Sequence, residues 1–95
     1  MDLLFEWDAN KARTNFRKHK VSFEEAKTIF NDPFTITYSD PEHSDDEERY
    51  ITIGLSAATR LLLVVHTDDG EGKVRIISCR KATLLERRFY EQGEE

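Results

Sequence analysis

Three consecutive segments between residues 49 and 80 constrain the fold most strongly, because they have strand patterns and tight connections. Residues 49–55 alternate between apolar and polar side chains, which is typical of an amphipathic strand. Residues 61–65 are apolar throughout, as in a central strand that is covered on both faces. The sequence DDGEG at 68–72 is a hairpin signal, and residues 73–80 alternate again. This order predicts neighbouring strands in one antiparallel sheet.

The alternation within residues 73–80 also predicts which side chains share a face. Strict alternation places Val74, Ile76, Ser78 and Arg80 on one face and Arg75 on the other. Cys79 is opposite in parity to Arg80, and no histidine is adjacent to it. We therefore expect Cys79 to be a small core residue rather than a nucleophile.

The remaining segments complete an α+β domain of order βααββββα. The expected elements are a strand at 3–7, a helix from residue 9, a second helix from the capping box at Ser22 to about Phe30, a strand at 34–38, and a last helix at 84–92 that follows the capping box at Thr83. Helices separated from a run of strands predict an antiparallel sheet packed against two N-terminal helices and a C-terminal helix, all on one face. Apolar stripes on all three helices are expected to contribute to the core, including Ala9, Ala12 and Phe16 in the first.

The composition describes one compact domain, residues 1–95. The 38% hydrophobic content is too high for a disordered chain, and the 35% charged content with a mean hydropathy of -0.66 describes a small core under a charged surface. The longest apolar run, 61–65, is far too short to span a membrane, and the first residues have no export signal. We expect a cytoplasmic protein without contact with a membrane.

Charge is distributed unevenly along the chain, whose net charge is -5. Residues 8–20 carry five cations against one carboxylate, a balance of +4, and residues 73–90 carry six against one, a balance of +5. Residues 21–72 have a balance of -9. If the two basic segments meet in space, they form a local site for phosphate within an acidic body.

Several motifs in this order resemble the BrnT toxin family. They are FEWD at 5–8, KH at 18–19, VSFEEA at 21–26, HSDDEERY at 43–50, RIIS-x-RKA at 75–82 and ER-x-x-Y at 86–90. The resemblance implies a RelE-like fold and a type II toxin that cleaves RNA, inhibits growth and is neutralised by a DNA-binding, BrnA-like antitoxin, with which it forms a heterotetramer. Two positions depart from the family pattern: Lys20 replaces its usual glycine, and Cys79 its usual alanine.

Cleavage of RNA without a metal or other cofactor requires a base, an acid and cations that stabilise the phosphorane. By resemblance to RelE-like toxins, Arg80 and Tyr90 are the first candidates for catalytic residues. For Tyr90 a half-buried structural role is equally plausible. Arg87 faces the same side as Glu86, with which it can form an ordinary salt bridge.

Further candidates come from the acidic loop, the strand after it and the basic segments. Glu48, Arg49 and His43 are expected to take part in catalysis, although the carboxylates around His43 favour an acid over a base. The residues expected to bind RNA are Arg75, Lys81, Arg87, Lys18 and His19. Pairing with a carboxylate is the stronger expectation for Arg75, and helix capping alone explains Lys18 and His19.

Two other readings remain open at this stage. In the first, the chain is a non-catalytic binding module whose basic segments dock an acidic partner or a nucleic-acid backbone. In the second, the loop at 40–47 holds a hard metal ion and the protein is a metal-dependent nuclease, although the spacing fits no defined ligand motif. The residues alone identify neither the general base nor the RNA specificity.

Overall fold

A computed structural model describes residues 3–40 and 47–93. Its elements are β1 (Leu4–Glu6), α1 (Ala9–His19), α2 (Phe23–Lys27), a 3-10 turn (Thr28–Asn31), β2 (Ile36–Ser39), β3 (Arg49–Leu55), β4 (Leu61–Asp68), β5 (Lys73–Lys81) and α3 (Leu84–Gln92). The caps that were predicted for the second and third helices are present: the Ser22 side chain accepts from the Glu25 amide, and Thr83 forms a capping box with Glu86.

The strands form one mixed sheet in the order β1-β5-β4-β3-β2. β2 to β5 are antiparallel neighbours, whereas β1 runs parallel to the start of β5. The prediction of a wholly antiparallel sheet is therefore wrong at this edge. The reason is topological, because the chain passes through both N-terminal helices and three strands before β5 returns beside β1.

The helices lie on both faces of the sheet, which corrects the expectation that they share one face. Phe23 and Ala26 of α2 pack with Leu62 and Val64 of β4 in the larger apolar cluster. The side chains that point the other way, Ile53, Leu61 and Leu63, form a second cluster, which Tyr90 of α3 contacts. α3 has no buried residue, and it does not contribute the apolar stripe that was predicted.

The predicted apolar stripe of α1 is only partly present: of its three residues, Ala12 packs against the larger cluster. Ala9 is exposed, Phe16 is 51% exposed, and the one buried residue of this helix is Asn15. Asn15 binds the backbone of β5: its amide nitrogen donates to the Cys79 carbonyl oxygen at 2.9 Å, and its carbonyl oxygen accepts from the Cys79 amide at 3.1 Å. α1 is therefore attached along the sheet edge rather than packed flat over the sheet.

A β-bulge changes the parity of β5. Val65 pairs with Ser78 and the next residue, His66, pairs with Ile76, so Ile77 is an extra residue without a partner on β4. Val74, Ile76 and Cys79 consequently share the buried face, and Cys79 is 1% exposed, as predicted. The prediction that Arg80 shares a face with Val74 and Ile76 is wrong, because the bulge moves Arg80 to the face of Arg75.

The turn after α1 bears on one of the departures from the family pattern. Lys20 adopts the left-handed conformation, with φ of 60°, and its amide closes the helix onto the Phe16 carbonyl. Glycine is the residue that occupies this position at least cost. Lys20 thus keeps the turn that a glycine would make.

Among the described residues, no helix is long and apolar enough to cross a membrane.

Candidate active site

The arginines of the strands meet on one face of the sheet. Arg49 of β3 and Arg75 of β5 both align with Thr67 on β4, which lies between them, and Arg80 projects from the same face further along β5. We call this face, with Arg49, Arg75 and Arg80, the arginine face. It is opposite to the face that packs against α2.

α3 covers only part of the arginine face. Its Tyr90 lies over Ile53, Leu61 and Leu63, toward the end of β3 that is remote from Arg49. The next row of side chains across the sheet is partly or largely accessible and consists of Tyr38, Ile51, Val65 and Ser78. The face therefore has an open, partly apolar floor with Arg49 and Arg75 on one side and Arg80 on the other.

Arg80 is held at the border of this floor by Glu86. Its two terminal nitrogens donate to the two carboxylate oxygens of Glu86, each at 2.8 Å. This fork is the geometry in which arginine also binds phosphate. The pairing raises the pKa of Arg80 and, despite partial burial, lowers that of Glu86. Glu86 also accepts from the Thr83 amide, so the start of α3 fixes the direction of Arg80.

Arg49 and Arg75 line a small cavity of about 170 Å³ with Glu47, Asp8 and Lys11. Arg75 forms an ion pair with Glu47, the carboxylate pairing that the sequence favoured. Arg49 has no ion pair within residues 3–40 and 47–93, and its Nε is buried without a hydrogen-bond partner there. This cavity holds a carboxylate between cations.

A second cavity continues from the first along the free edge of β5. It has a volume of about 340 Å³ and lies between α1 and the bulge. It shares Lys11 and Ile77 with the smaller cavity and adds Lys18, His19 and Ser78, among others. We call it the edge groove. The two basic segments of the sequence therefore do meet in space.

The ion pairs sort the cations into two groups. Lys27, Arg60, Lys73, Arg75, Arg80 and Arg87 each lie within 4.0 Å of a carboxylate oxygen. In the part of the chain that the structure describes, the α1 segment has no such pair for any of its cations, which are Lys11, Arg13, Arg17, Lys18 and Lys20. Unneutralised positive charge is thus concentrated on α1, beside the edge groove.

We call the open part of the arginine face, the small cavity and the edge groove together the cleft. The other predicted site residues lie away from it. The Tyr90 hydroxyl donates to Asp32 at 2.6 Å, beneath α3. The Glu48 carboxylate accepts weakly from the Tyr50 hydroxyl at 3.4 Å, on the opposite side of β3 from Arg49. Lys81 is exposed at the end of β5 and points to the other face from Arg80.

Arg87 does not pair with Glu86, which corrects the expected salt bridge. Its Nη1 lies 4.0 Å from Glu91, one turn further along α3, because Glu86 is engaged by Arg80. His43 and most of the acidic loop lie outside the described residues. Among those described, no group of three or more histidine, cysteine, aspartate or glutamate side chains could hold a metal ion.

Two buried reactive groups lie on the face that packs against α2. Burial raises the pKa of the Cys79 thiol to about 11, and burial lowers the pKa of His66. His66 Nε2 lies 2.7 Å from the Thr52 hydroxyl, and its Nδ1 lies 3.3 Å from the Thr67 carbonyl oxygen. Neither side chain points to the arginine face.

Sequence reasoning missed Glu47, Lys11, Ser78 and Tyr38 as residues of this cleft. The residue predicted from the sequence is instead Glu48, the neighbour of Glu47 in the chain. Ser78 was predicted to share a face with Val74 and Ile76 because the alternation was assumed to be unbroken. The available signal was the apolar spacing of Ile76, Ile77 and Cys79, which no regular strand can bury on one face.

The fold and the arginine face define a class: a small α+β domain that carries a cluster of arginines on a partly open face of its sheet. Residues 7–86 match the family described as "Ribonuclease toxin, BrnT, of type II toxin-antitoxin system", and the chain belongs to this family. A comparison with curated proteins found no match.

The fold is similar to that of a solved member of the family. The "1.1 Angstrom-resolution crystal structure of the Brucella abortus ribonuclease toxin, BrnT" superposes with a TM-score of 0.59 at 24% sequence identity, over 87% of this chain and 97% of that one. At this identity the similarity shows the fold. It extends the family assignment to the arrangement of the sheet and helices.

Proposed function

We propose that this family member cleaves RNA without a metal ion, on the open part of the arginine face. The observation that supports this is the bulge at Ile77, which puts Ser78 and Arg80 on the same face as Arg49 and Arg75, with Ile77 and Ser78 lining the edge groove beside it. A phosphodiester placed there meets cations from two strands, and α1 supplies further positive charge for the flanking phosphates.

The proposed reaction is an internal transesterification. The ribose 2′-oxygen attacks the adjacent phosphorus, the bond from phosphorus to the 5′-oxygen breaks, and a 2′,3′-cyclic phosphate forms. A base takes the proton from the 2′-hydroxyl, and an acid delivers a proton to the departing 5′-oxygen. Arginines stabilise the additional negative charge of the phosphorane, where a fixed donor has its largest effect.

We assign Glu47 as the general base in place of Glu48. Glu47 lies in the same cavity as Arg49 and Arg75, so an RNA phosphate bound by these arginines has this carboxylate beside it. Arg49 contributes a guanidinium that has no ion pair with any described residue, and Arg80 binds phosphate with the two nitrogens that pair with Glu86 in this structure. His43 stays our candidate for the acid.

Tyr90 is better explained as a positioning residue than as a catalytic one. Its hydroxyl donates a hydrogen bond to Asp32, and its ring lies over Ile53 and Leu63. Holding the end of α3 there keeps Glu86, and through it Arg80, at the border of the floor. Arg75, Lys18 and His19 are proposed to bind the RNA backbone, with Lys81 and Arg87 at the periphery.

We propose that the fold is RelE-like and that the protein acts in the cytoplasm. Its proposed partner is a BrnA-like antitoxin, which covers the active-site cleft and forms a heterotetramer with the toxin. The membership in a type II toxin family supports an antitoxin as the partner. An acidic segment of such a protein would fit the concentrated positive charge of α1.

The experiment that tests this function is RNA cleavage by the purified protein in excess chelator. We expect cleavage products that end in a 2′,3′-cyclic phosphate, and no cleavage where a single 2′-deoxynucleotide replaces the scissile nucleotide. Cleavage of the deoxy-substituted strand would exclude the mechanism. Binding of RNA without any cleavage would instead support the non-catalytic module.

A further inference from the structure

A third cavity lies on the other side of α1 from the edge groove. It has a volume of about 500 Å³, and its apolar wall is formed by Trp7, Ala12, Phe16 and Phe23. Phe16 is 51% exposed, and Trp7 is partly buried with its ring against Phe23, the ring centroids 5.9 Å apart. An aromatic surface of this kind is available to a flat ligand.

The rim of this cavity is cationic. Arg13, Arg17 and Lys20 line it, together with Ser22 and the carboxylate of Glu24. Within the described residues none of these three cations has an ion pair, and Arg13 is bound by the Asn10 side chain instead. Glu24 lies 4.0 Å from Lys27 and does not neutralise the three cations.

We propose that this cavity binds an unstacked nucleobase of the RNA strand that occupies the active-site cleft. Aromatic side chains that stack bases, interleaved with cations that follow the phosphates, are the way in which proteins hold single-stranded nucleic acid. A helix is about 10–12 Å across with its side chains, so a strand that leaves the edge groove over Arg17 and Lys18 reaches Phe16 within a few nucleotides. The inference rests on the proposed function.

The test uses a single-stranded RNA of about ten nucleotides whose 2′-hydroxyls are methylated, so that it cannot be cleaved. Trp7 is the one tryptophan in the chain, and its fluorescence reports directly on the cavity. We expect this RNA to quench Trp7, whereas inorganic pyrophosphate does not. A strand of about four nucleotides should bind the cleft without quenching.

Two substitutions of equal size separate the cavity from a general effect on the surface. Phe16→Ala should lower the affinity for the longer RNA about tenfold, because the contact with one stacked base is lost. Phe16→Trp should restore the affinity. Phe34→Ala is the matched control, because Phe34 is 50% exposed and lies outside this cavity; it should change the affinity by no more than about twofold.

The outcomes distinguish the two proposals. Wild-type protein that does not cleave RNA contradicts the proposed function. Wild-type protein that cleaves RNA, while Trp7 is not quenched and Phe16→Ala binds the longer strand normally, contradicts the base-binding cavity alone. If Phe16→Ala weakens binding of the antitoxin and leaves the affinity for RNA unchanged, the cavity binds a protein partner and the inference is wrong.

Discussion

At the scale of single residues, Asn15 explains how a basic helix is held against a strand edge. Its side chain binds the amide and carbonyl of Cys79 and also donates to the Val21 carbonyl at 3.2 Å. These groups would otherwise be buried without partners at a sheet edge. No local pattern in the sequence predicts a contact between residues so far apart, whereas the burial of Cys79 was predicted from its parity opposite to Arg80 and from the absence of an adjacent histidine.

Asn15→Ala should lower the free energy of unfolding by about 1–3 kcal/mol, because it leaves buried backbone groups of Cys79 unsatisfied. Urea titration measures the change, and Asn31→Ala, at an exposed position, is the control. In the wild type, burial and the raised pKa should protect the Cys79 thiol from iodoacetamide until the chain unfolds. Equal stability of the two variants would contradict the role given to Asn15.

Tyr90 is the residue for which a catalytic and a structural role make opposite predictions. Burial opposes ionisation of Asp32, but hydrogen bonds from the Tyr90 hydroxyl and from the Leu55 and Phe34 amides outweigh it and lower the Asp32 pKa. Tyr90→Phe should cost about 1.5–3 kcal/mol of stability, the value of a hydrogen bond to a charged group, while the folded protein still cleaves RNA. A stable but inactive variant would restore Tyr90 to the chemistry.

At the scale of elements, the bulge in β5 and the parallel pairing of β1 separate the predicted sheet from the observed one. The strand segments at 49–55, 61–65 and 73–80 were predictable because alternation and turn residues are local signals. The face of Arg80 was not, because it depends on the register of β5 against β4, and the bulge at Ile77 reverses it. The same limit applies to β1, whose parallel pairing depends on the path of the whole chain.

The strand β4 also carries a buried histidine, which makes stability depend on pH. Burial lowers the pKa of His66 below its ordinary value, so the unfolded chain binds a proton more readily than the folded one. The stabilising contribution is complete above the unfolded pKa of about 6.5 and is lost as the pH falls toward the folded value. We expect the melting temperature to fall between pH 7.5 and pH 5.5, and His66→Asn to flatten that decline. Parallel curves for both proteins would contradict this.

At the scale of the whole molecule, charge is segregated rather than balanced. The net charge of -5 conceals a helix whose cations have no ion pairs among the described residues and an arginine face next to it. The sequence predicted the two basic segments, and their meeting required the attachment of α1 to β5. We therefore expect association with RNA to depend on this local field rather than on the net charge.

Binding of RNA should therefore depend strongly on salt despite the acidic composition. For single strands the logarithm of the affinity falls with the logarithm of salt by about 0.7 for each phosphate neutralised. With several cations of α1 engaged, we expect methylated RNA to bind at least about tenfold more weakly at 200 mM than at 50 mM salt. An affinity that is independent of salt would show that α1 does not contact the backbone.

We propose that the arginine face performs the cleavage, so Arg80→Ala should slow the reaction. Arg88→Ala is the matched control, since Arg88 is exposed on α3 and has no ion pair with any described residue. The measurement is the rate of RNA cleavage in chelator by both variants, each shown to be folded by its melting curve. We expect a loss of about 10²–10³-fold for Arg80→Ala and an unchanged rate for Arg88→Ala. A folded Arg80→Ala protein that cleaves at the wild-type rate would exclude the arginine face as the site of cleavage.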